Sequence, residues 1–134
     1  MSVLVAEDDR ITARVLERQL RKHGHAVCVV HAGAAAWELL ASDVPPLVAV
    51  LDWTMPDISG LELCRNVRAR AGAPYTYLML LTGRDHRADV AAGIDAGADE
   101  YVTKPYQLDD VLQRVSRGVM LAEARRASNV QPLR

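Results

Sequence analysis

The segment LVAVLDWTMPDISG, residues 47–60, joins a short apolar run to an acidic residue and then to a loop rich in turn-forming residues. The run 47–51 is apolar at consecutive positions, as in a strand that is buried on both faces of a parallel sheet. Four further runs of this kind, rich in Val, Leu or Tyr, occupy residues 3–6, 26–30, 77–81 and 101–103. The sequence therefore predicts five short strands.

The segments between these runs have the periodicity of helices. In residues 9–23 the apolar side chains form one stripe, and Gly24 follows as a helix terminator. The other predicted helices occupy residues 34–41, 59–69, 86–92 and 108 to about 124. Because strand and helix alternate five times, we predict an α/β fold with a doubly wound, five-stranded parallel sheet, five helices and right-handed crossovers.

Length and charge limit the possible functions. The chain has 134 residues, the size of one domain. Its 16 basic and 17 acidic residues give a net charge of −1, whereas a nucleic-acid-binding protein normally has a clear positive excess. Cys28 and Cys64 have neither metal-ligand spacing nor the pattern of a disulfide framework. With no signal peptide or apolar membrane span recognisable, we expect a cytoplasmic protein.

Polar side chains follow four of the five predicted strands. They are Glu7 and Asp8 after the first strand, Asp52 after the third, Thr82 after the fourth and Lys104 after the fifth. Ligands of open parallel sheets bind beyond the carboxyl ends of the strands, so we expect these groups to meet there. Gathered carboxylates repel unless a cation joins them, and Mg²⁺ accepts carboxylate and phosphate oxygens together. An ammonium and a hydroxyl suit a phosphoryl group, so the set predicts a phosphoryl-transfer site with an aspartate nucleophile.

At these residues the sequence resembles the receiver domains of bacterial two-component response regulators. The resemblance rests on Glu7-Asp8, the stretch 52–61, Thr82-Gly83 and the stretch 101–105, and it covers residues 2 to about 122. It implies a flavodoxin-like sheet with strand order 2-1-3-4-5. It also implies a phosphorylation-dependent signalling switch that modifies only itself and turns over no external substrate.

The resemblance further implies a role for each matching residue. Asp52 would accept the phosphoryl group, and Lys104 and Thr82 would bind its oxygens. The Mg²⁺ ligands would be Asp8, Asp52 and the backbone carbonyl of Thr54, with Glu7 acting through a water. The Lys104–Pro105 bond would be cis, which only an X-Pro bond adopts at low cost.

Switching and signal lifetime are also assigned by resemblance. Thr82 and Tyr101 would move together on phosphorylation and change the face formed by helix 4, strand 5 and helix 5. In this family the residues two past the acceptor and two past the Thr, here Thr54 and Arg84, influence how fast the phosphoryl group is lost. Thr54 is not a strong water-positioning residue and Arg84 is long and charged, so we expect slow self-dephosphorylation.

The partners implied are a sensor histidine kinase or histidine phosphotransfer protein, and an output domain or target protein. A phosphorylation-dependent homodimer is also compatible, whereas direct nucleic-acid or membrane binding is not expected. Residues 1–124 are expected to form the receiver domain. Residues 125–134 are expected to be a C-terminal tail or the start of a linker to an output domain.

Two other functions remain open from the residues. One is an aspartyl-phosphate hydrolase of the haloacid-dehalogenase type, although that family places its nucleophile after the first strand, with a second Asp two positions later. The other is a degenerate receiver that only docks partners.

Several conspicuous side chains are expected to have structural roles only. Asp9 should cap the first helix, and Asp57 should be solvated. Trp53 and Tyr106 should pack beside the site. Solvated surface charge is the expectation for Asp99, Glu100 and Arg114, and neither a metal nor a catalytic role is expected for His23, His25, His31 and His86.

Overall fold

The computed structural model describes residues 2–129 and contains one parallel sheet of five strands in the order β2-β1-β3-β4-β5. The strands are β1 (Val3–Ala6), β2 (Val27–Val30), β3 (Val48–Asp52), β4 (Tyr77–Thr82) and β5 (Glu100–Thr103). All five predicted strands are present within one residue of their predicted bounds. The α/β fold class and the strand order are confirmed.

Five helices alternate with the strands. They are α1 (Arg10–Lys22), α2 (Gly33–Leu40), α3 (Gly60–Arg68), α4 (Arg87–Asp95) and α5 (Leu108–Asn129). The side chain of Asp9 accepts hydrogen bonds from the N–H of Ile11 and the hydroxyl of Thr12, so the predicted cap of α1 is confirmed. Within residues 2–129, no helix is long and apolar enough to cross a membrane.

The prediction that the last helix ends near residue 124 is wrong. Beyond that point the guanidinium of Arg126 donates to the carbonyls of Tyr75, Pro45 and Pro46 at 2.8–3.0 Å, which holds the final turns of α5 against the loops that precede β3 and β4. Long-range contacts of this kind have no local sequence signal. Residues 130–134 of the expected tail lie outside the described part of the chain.

The sheet is buried on both faces, as its uninterrupted apolar runs predicted. Val3 and Val5 of β1 point into a cluster shared with α1 and α5, whereas Leu4 and Ala6 point into one shared with α2 and α3. Each of these four side chains is at most 1% exposed. Full burial of a Val or Leu side chain contributes roughly 1.5–3 kcal/mol, so this double-sided core supplies much of the stability of the fold.

Strand order reverses at β1, and this reversal determines where the polar strand ends lie. The first crossover places β2 on one side of β1, and the second places β3 on the other. In the pair formed by β1 and β3, Ala6 lies opposite Leu51. The next residues, Glu7 after β1 and Asp52 at the end of β3, therefore lie at the same level. A crevice at such a reversal point is the usual ligand site of open α/β sheets.

At the opposite end of the sheet, the expectation that Glu100 is a solvated surface charge is wrong. Glu100 is only 7% exposed. Its carboxylate accepts hydrogen bonds from the Tyr77 hydroxyl at 2.6 Å, from Arg114, and from Arg117 at 3.1 Å. Burial by itself would raise the pKa of Glu100, but these donors outweigh it and hold the pKa below its usual value.

Asp99 is also engaged, although it was expected to be solvated. Its carboxylate accepts from Arg68 at 2.7 Å, from the N–H of Leu78 at 2.8 Å, and from the hydroxyl of Tyr75. Arg68 and Arg125 each lie over the ring of Tyr75, with guanidinium carbons 4.9 and 4.4 Å from its centroid. Charge pairs therefore fasten α3, β5 and α5 together at the end of the sheet remote from the carboxylates.

We expect Glu100→Gln to lower the free energy of unfolding by about 1–3 kcal/mol at neutral pH, because the buried acceptor of three hydrogen bonds loses its charge. A carboxyl whose pKa is depressed by folding stabilises the protein above its unfolded-state pKa. That contribution disappears as the pH falls through the folded-state pKa, which lies below 4.5.

Urea unfolding at a series of pH values measures both effects. The difference between wild type and variant should shrink on acidification. Glu38→Gln removes an exposed carboxylate and serves as the matched control. A difference that is independent of pH would contradict the assignment.

Candidate functional site

Three carboxylates meet at the carboxyl end of the sheet. Glu7 and Asp8 follow β1, Asp52 ends β3, and their oxygens lie within 4.8 Å of one another. Glu7 is 2% exposed and Asp52 is 8% exposed, whereas Asp8 faces solvent. Within residues 2–129 this is the one cluster of three or more His, Cys, Asp or Glu side chains with metal-ligand proximity. The sequence prediction that these residues meet is confirmed.

Lys104 provides the positive charge opposite these carboxylates. Its Nζ lies 3.2 Å from Oε1 of Glu7 and 3.4 Å from Oδ2 of Asp52. Its backbone N–H donates to the carbonyl of Thr82 at 2.8 Å, which fixes the end of β5 beside β4, and the Lys104–Pro105 bond is cis, as expected. Burial would lower the pKa of Lys104, but the carboxylates of Asp52 and Glu7 outweigh it and raise that pKa.

The donor set fits a hard divalent cation. The cluster contains only oxygen ligands, and the single ammonium of Lys104 leaves three carboxylates undercompensated. Burial, followed by the hydrogen bond to Asp52, raises the pKa of Glu7, and a cation bound beside it would favour the charged form. An ion of the size and preference of Mg²⁺ would offset that cost.

The two residues expected to act as a switch are joined through a third. The hydroxyl oxygen of Thr82 accepts from the N–H of Arg84 at 3.0 Å, and the hydroxyl of Tyr101 donates to the carbonyl of Arg84 at 2.7 Å. Thr82 is buried and Tyr101 half-buried. The main chain of Arg84 therefore connects the ends of β4 and β5.

The side chain of Arg84 lies across the loop that follows Asp52. Its guanidinium carbon is 4.9 Å from the ring centroid of Trp53, and one nitrogen lies 3.6 Å from Asp89. The rings of Trp53 and Tyr101 meet edge to face, with centroids 6.2 Å apart. Trp53 is thus part of the core cluster shared with α2 and α3, and it also joins the loop after Asp52 to β5.

Other side chains near the site have structural contacts. Tyr106 packs against the core cluster shared with α1 and α5, as expected of a residue beside the site. His31 donates from Nδ1 to the carbonyl of Glu7 at 2.9 Å, which fixes the end of β2 beside that of β1.

Asp57 is exposed to solvent, as expected, but it also has a structural role that was not predicted from the sequence. Its two carboxylate oxygens accept hydrogen bonds from the N–H groups of Gly33 and Ala34, at 2.7 and 2.9 Å, across 24 and 23 positions of sequence. These are the first N–H groups of α2. One sequence signal pointed to such a contact. The residue before α2 is Ala32, whose side chain cannot cap a helix, so the first N–H groups of α2 need an acceptor from elsewhere.

Comparison with known proteins is consistent with this geometry. Residues 3–116 match the sequence profile of a family described as the response regulator receiver domain. A curated protein of Mycobacterium avium, response regulator MprA, is 40% identical over 115 residues, which are 86% of this chain and 49% of that protein. The chain thus spans about half the length of the curated relatives it matches.

Solved structures give the same result. The receiver domain of the Francisella response regulator 1452 is 28% identical and superposes with a TM-score of 0.82, covering 90% of this chain and 97% of that one. The BeF3-activated receiver domain of DrrB is 33% identical, with a TM-score of 0.76 over 89% of this chain and 97% of the other.

Gly93 provides a test of how tightly Tyr101 packs against α4. A Cβ built on Gly93 would lie 2.6 Å from Cδ2 of Tyr101. We expect Gly93→Ala to destabilise the protein by about 1–3 kcal/mol through overpacking. Helix propensity alone would favour Ala by about 1 kcal/mol, so the sign of the change identifies the stronger effect.

The control is the same substitution in a Tyr101→Ala background. There the ring is absent and Gly93→Ala should become neutral or stabilising in thermal unfolding. Equal destabilisation in both backgrounds would show that the contact with Tyr101 is not the cause.

Proposed function

The chain belongs to the response regulator receiver domain family, and from that membership we propose that Asp52 is the phosphoacceptor of its phosphorylation-dependent signalling switch. One observation carries the proposal. The buried carboxylate of Asp52 lies between two further carboxylates and the ammonium of Lys104, at the reversal point of the sheet. No other part of residues 2–129 combines a metal-type carboxylate cluster with a Lys ammonium in contact with it.

The chemistry follows from this arrangement. An oxygen of Asp52 attacks the phosphorus of a donor, a new O–P bond forms, and the donor leaves with the electron pair of the bond that breaks. The ammonium of Lys104 is close enough to turn from Glu7 and Asp52 toward a phosphoryl oxygen. Bound Mg²⁺ supplies positive charge to the phosphoryl oxygens during the transfer. Its proposed ligands are Asp8, Asp52 and the carbonyl of Thr54, with Glu7 acting through a water.

Phosphorylation would be transmitted through Thr82. Its hydroxyl now accepts from the N–H of Arg84, and we propose that it turns to donate to a phosphoryl oxygen. The N–H of Arg84 would then lose its acceptor and the main chain of Arg84 would move. Tyr101 would follow through its hydrogen bond to the Arg84 carbonyl. The proposed output surface is therefore the face of α4, β5 and α5.

The proposed phosphoryl source is a sensor histidine kinase or a histidine phosphotransfer protein. The proposed receiver of the signal is an output domain or a separate target protein, with a phosphorylation-dependent homodimer as a further form. The greater length of the curated relatives supports an output domain, since this chain covers 49% of the relative from Mycobacterium avium.

The two alternative functions are not favoured. The acceptor candidate Asp52 follows the third strand, whereas a hydrolase of the haloacid-dehalogenase type has its nucleophile after the first. A degenerate receiver would lack part of the phosphoryl-transfer set, but the acidic cluster, the Lys and the Thr are all present at the strand ends.

We expect incubation with Mg²⁺ and a small phosphoryl donor such as acetyl phosphate to add the mass of one phosphoryl group, measured by intact-protein mass spectrometry. Asp52→Asn should abolish the adduct, because an amide is not a competent nucleophile. Asp43→Asn removes an exposed carboxylate elsewhere and should leave the adduct unchanged. Continuous catalytic release of phosphate would support the hydrolase instead, and the absence of any adduct would support the degenerate receiver.

We also expect the phosphorylated protein to lose its phosphoryl group slowly, over minutes to hours once the donor is removed. Thr54 is poorly suited to position an attacking water, and the Arg84 side chain lies over the neighbouring Trp53. The decay of the adduct in Mg²⁺ measures this directly. A half-life of seconds would contradict the expectation, and Arg84→Ala tests whether the covering side chain contributes to it.

A further inference from the structure

Asp57 connects two elements that are distant in sequence. Each oxygen of its carboxylate accepts one N–H at the start of α2, from Gly33 and Ala34. Ala32, which precedes the helix, makes no side-chain cap, so Asp57 satisfies the two N–H groups in its place. The N–H groups of Ala34, Ile58 and Gly33 hold the pKa of Asp57 below its usual value, which agrees with an ionised, bidentate cap.

The backbone around Asp57 packs directly on α2. A Cβ built on Gly33 would lie 2.2 Å from the carbonyl oxygen of Ile58 and 2.7 Å from its Cβ. Only glycine at position 33 permits this approach. The contact between residues 57–58 and α2 is therefore a close backbone contact and not a loose association of surface side chains.

The same loop is fixed at its other end to the phosphoacceptor strand. The N–H of Gly60 donates to the carbonyl of Trp53 at 2.9 Å, and the N–H of Trp53 donates to Leu81 at 3.1 Å. A Cβ on Gly60 would lie 2.4 Å from the carbonyl oxygen of Asp52. The loop 53–59 is thus closed at the base by β3 and β4 and held at its far side by Asp57.

Thr54 lies between these two attachments. Its N–H approaches Asp52 at 3.4 Å, a long contact that does little to orient the peptide, and its side chain is exposed. The orientation of the Thr54 carbonyl therefore depends on the course of the loop as a whole, and the attachment at Asp57 limits that course.

We propose that Asp57 is a positioning residue for the metal site: by capping α2 it holds in place the loop 53–59, which carries the proposed ligand carbonyl of Thr54. The inference rests on the proposed function, which supplies the metal site. It also implies linkage between metal binding and the first turn of α2. If capping by Asp57 favours Mg²⁺ binding, then Mg²⁺ binding must favour the hydrogen bonds from Gly33 and Ala34 by the same free energy.

The test compares four variants with the wild type and with Asp52→Asn, by isothermal titration calorimetry with Mg²⁺ alone and by urea unfolding without metal. Asp57→Ala should weaken Mg²⁺ binding by about tenfold, the range seen when groups that orient metal ligands are removed. Asp57→Asn retains one acceptor oxygen and should weaken it less. Asp43→Ala removes an exposed carboxylate from another loop and should leave the affinity unchanged.

The fourth variant separates an effect on positioning from an effect on helix stability. Adding Ala32→Ser to Asp57→Ala supplies a local cap, because Ala32 already has the extended backbone of an N-cap residue. This double variant should recover most of the lost urea midpoint while its Mg²⁺ affinity stays weak. In the wild type, Mg²⁺ should also slow hydrogen exchange at the amides of Gly33 and Ala34, and Asp57→Ala should abolish that response.

Each other outcome overturns the inference in a recognisable way. If Asp57→Ala binds Mg²⁺ like the Asp43 variant, Asp57 does not position the site. If Ala32→Ser restores the affinity, Asp57 acts only by stabilising α2. If wild type and Asp52→Asn bind Mg²⁺ equally, or neither binds, the proposed metal site itself is wrong and the inference is overturned with it.

Discussion

The gathering of Glu7, Asp8 and Asp52 at one edge of the sheet is the constraint from which the chemistry of the site follows. The strand reversal at β1 brings these groups together, and burial of two of them makes their negative charge costly. Lys104 offsets only part of it. The continuous two-sided core beneath the site supplies the free energy that keeps the carboxylates in place. Packing elsewhere thus offsets the cost of burying their charge.

The two ends of the sheet have opposite electrostatic characters. At the carboxyl end, acids outnumber the single ammonium and are left short of positive charge. At the amino end, Glu100 and Asp99 accept hydrogen bonds from Arg and Tyr side chains, and these bonds join α3 and α5 to the sheet. A cation would therefore stabilise the carboxylates at the carboxyl end, whereas the paired carboxylates at the amino end do not need one. The proposed metal site therefore lies at the carboxyl end of the sheet, and the charge pairs that join the helices to the sheet lie at the amino end.

The sequence was sufficient for the strands, the fold class and the meeting of the polar strand ends, because all three follow from local apolar runs and from the topology they force. It was insufficient for Asp57, Glu100 and Arg126. Each of these side chains bonds to partners far along the chain, and an exposed charge and a paired charge look the same in a sequence. Glu100 lies at the start of a strand, where solvation was the reasonable expectation. Helix α5 likewise continues beyond its predicted end because Arg126 finds three carbonyls in distant loops.

The main chain and the side chain of Arg84 contact different residues. Thr82 and Tyr101 use only its main-chain N–H and carbonyl, whereas the guanidinium lies over Trp53 and beside Asp89. Any residue other than proline offers the same N–H and carbonyl at this position. Under the proposed function, the side chain at position 84 influences how long the signal lasts, whereas the main-chain contacts that report the signal do not depend on that side chain.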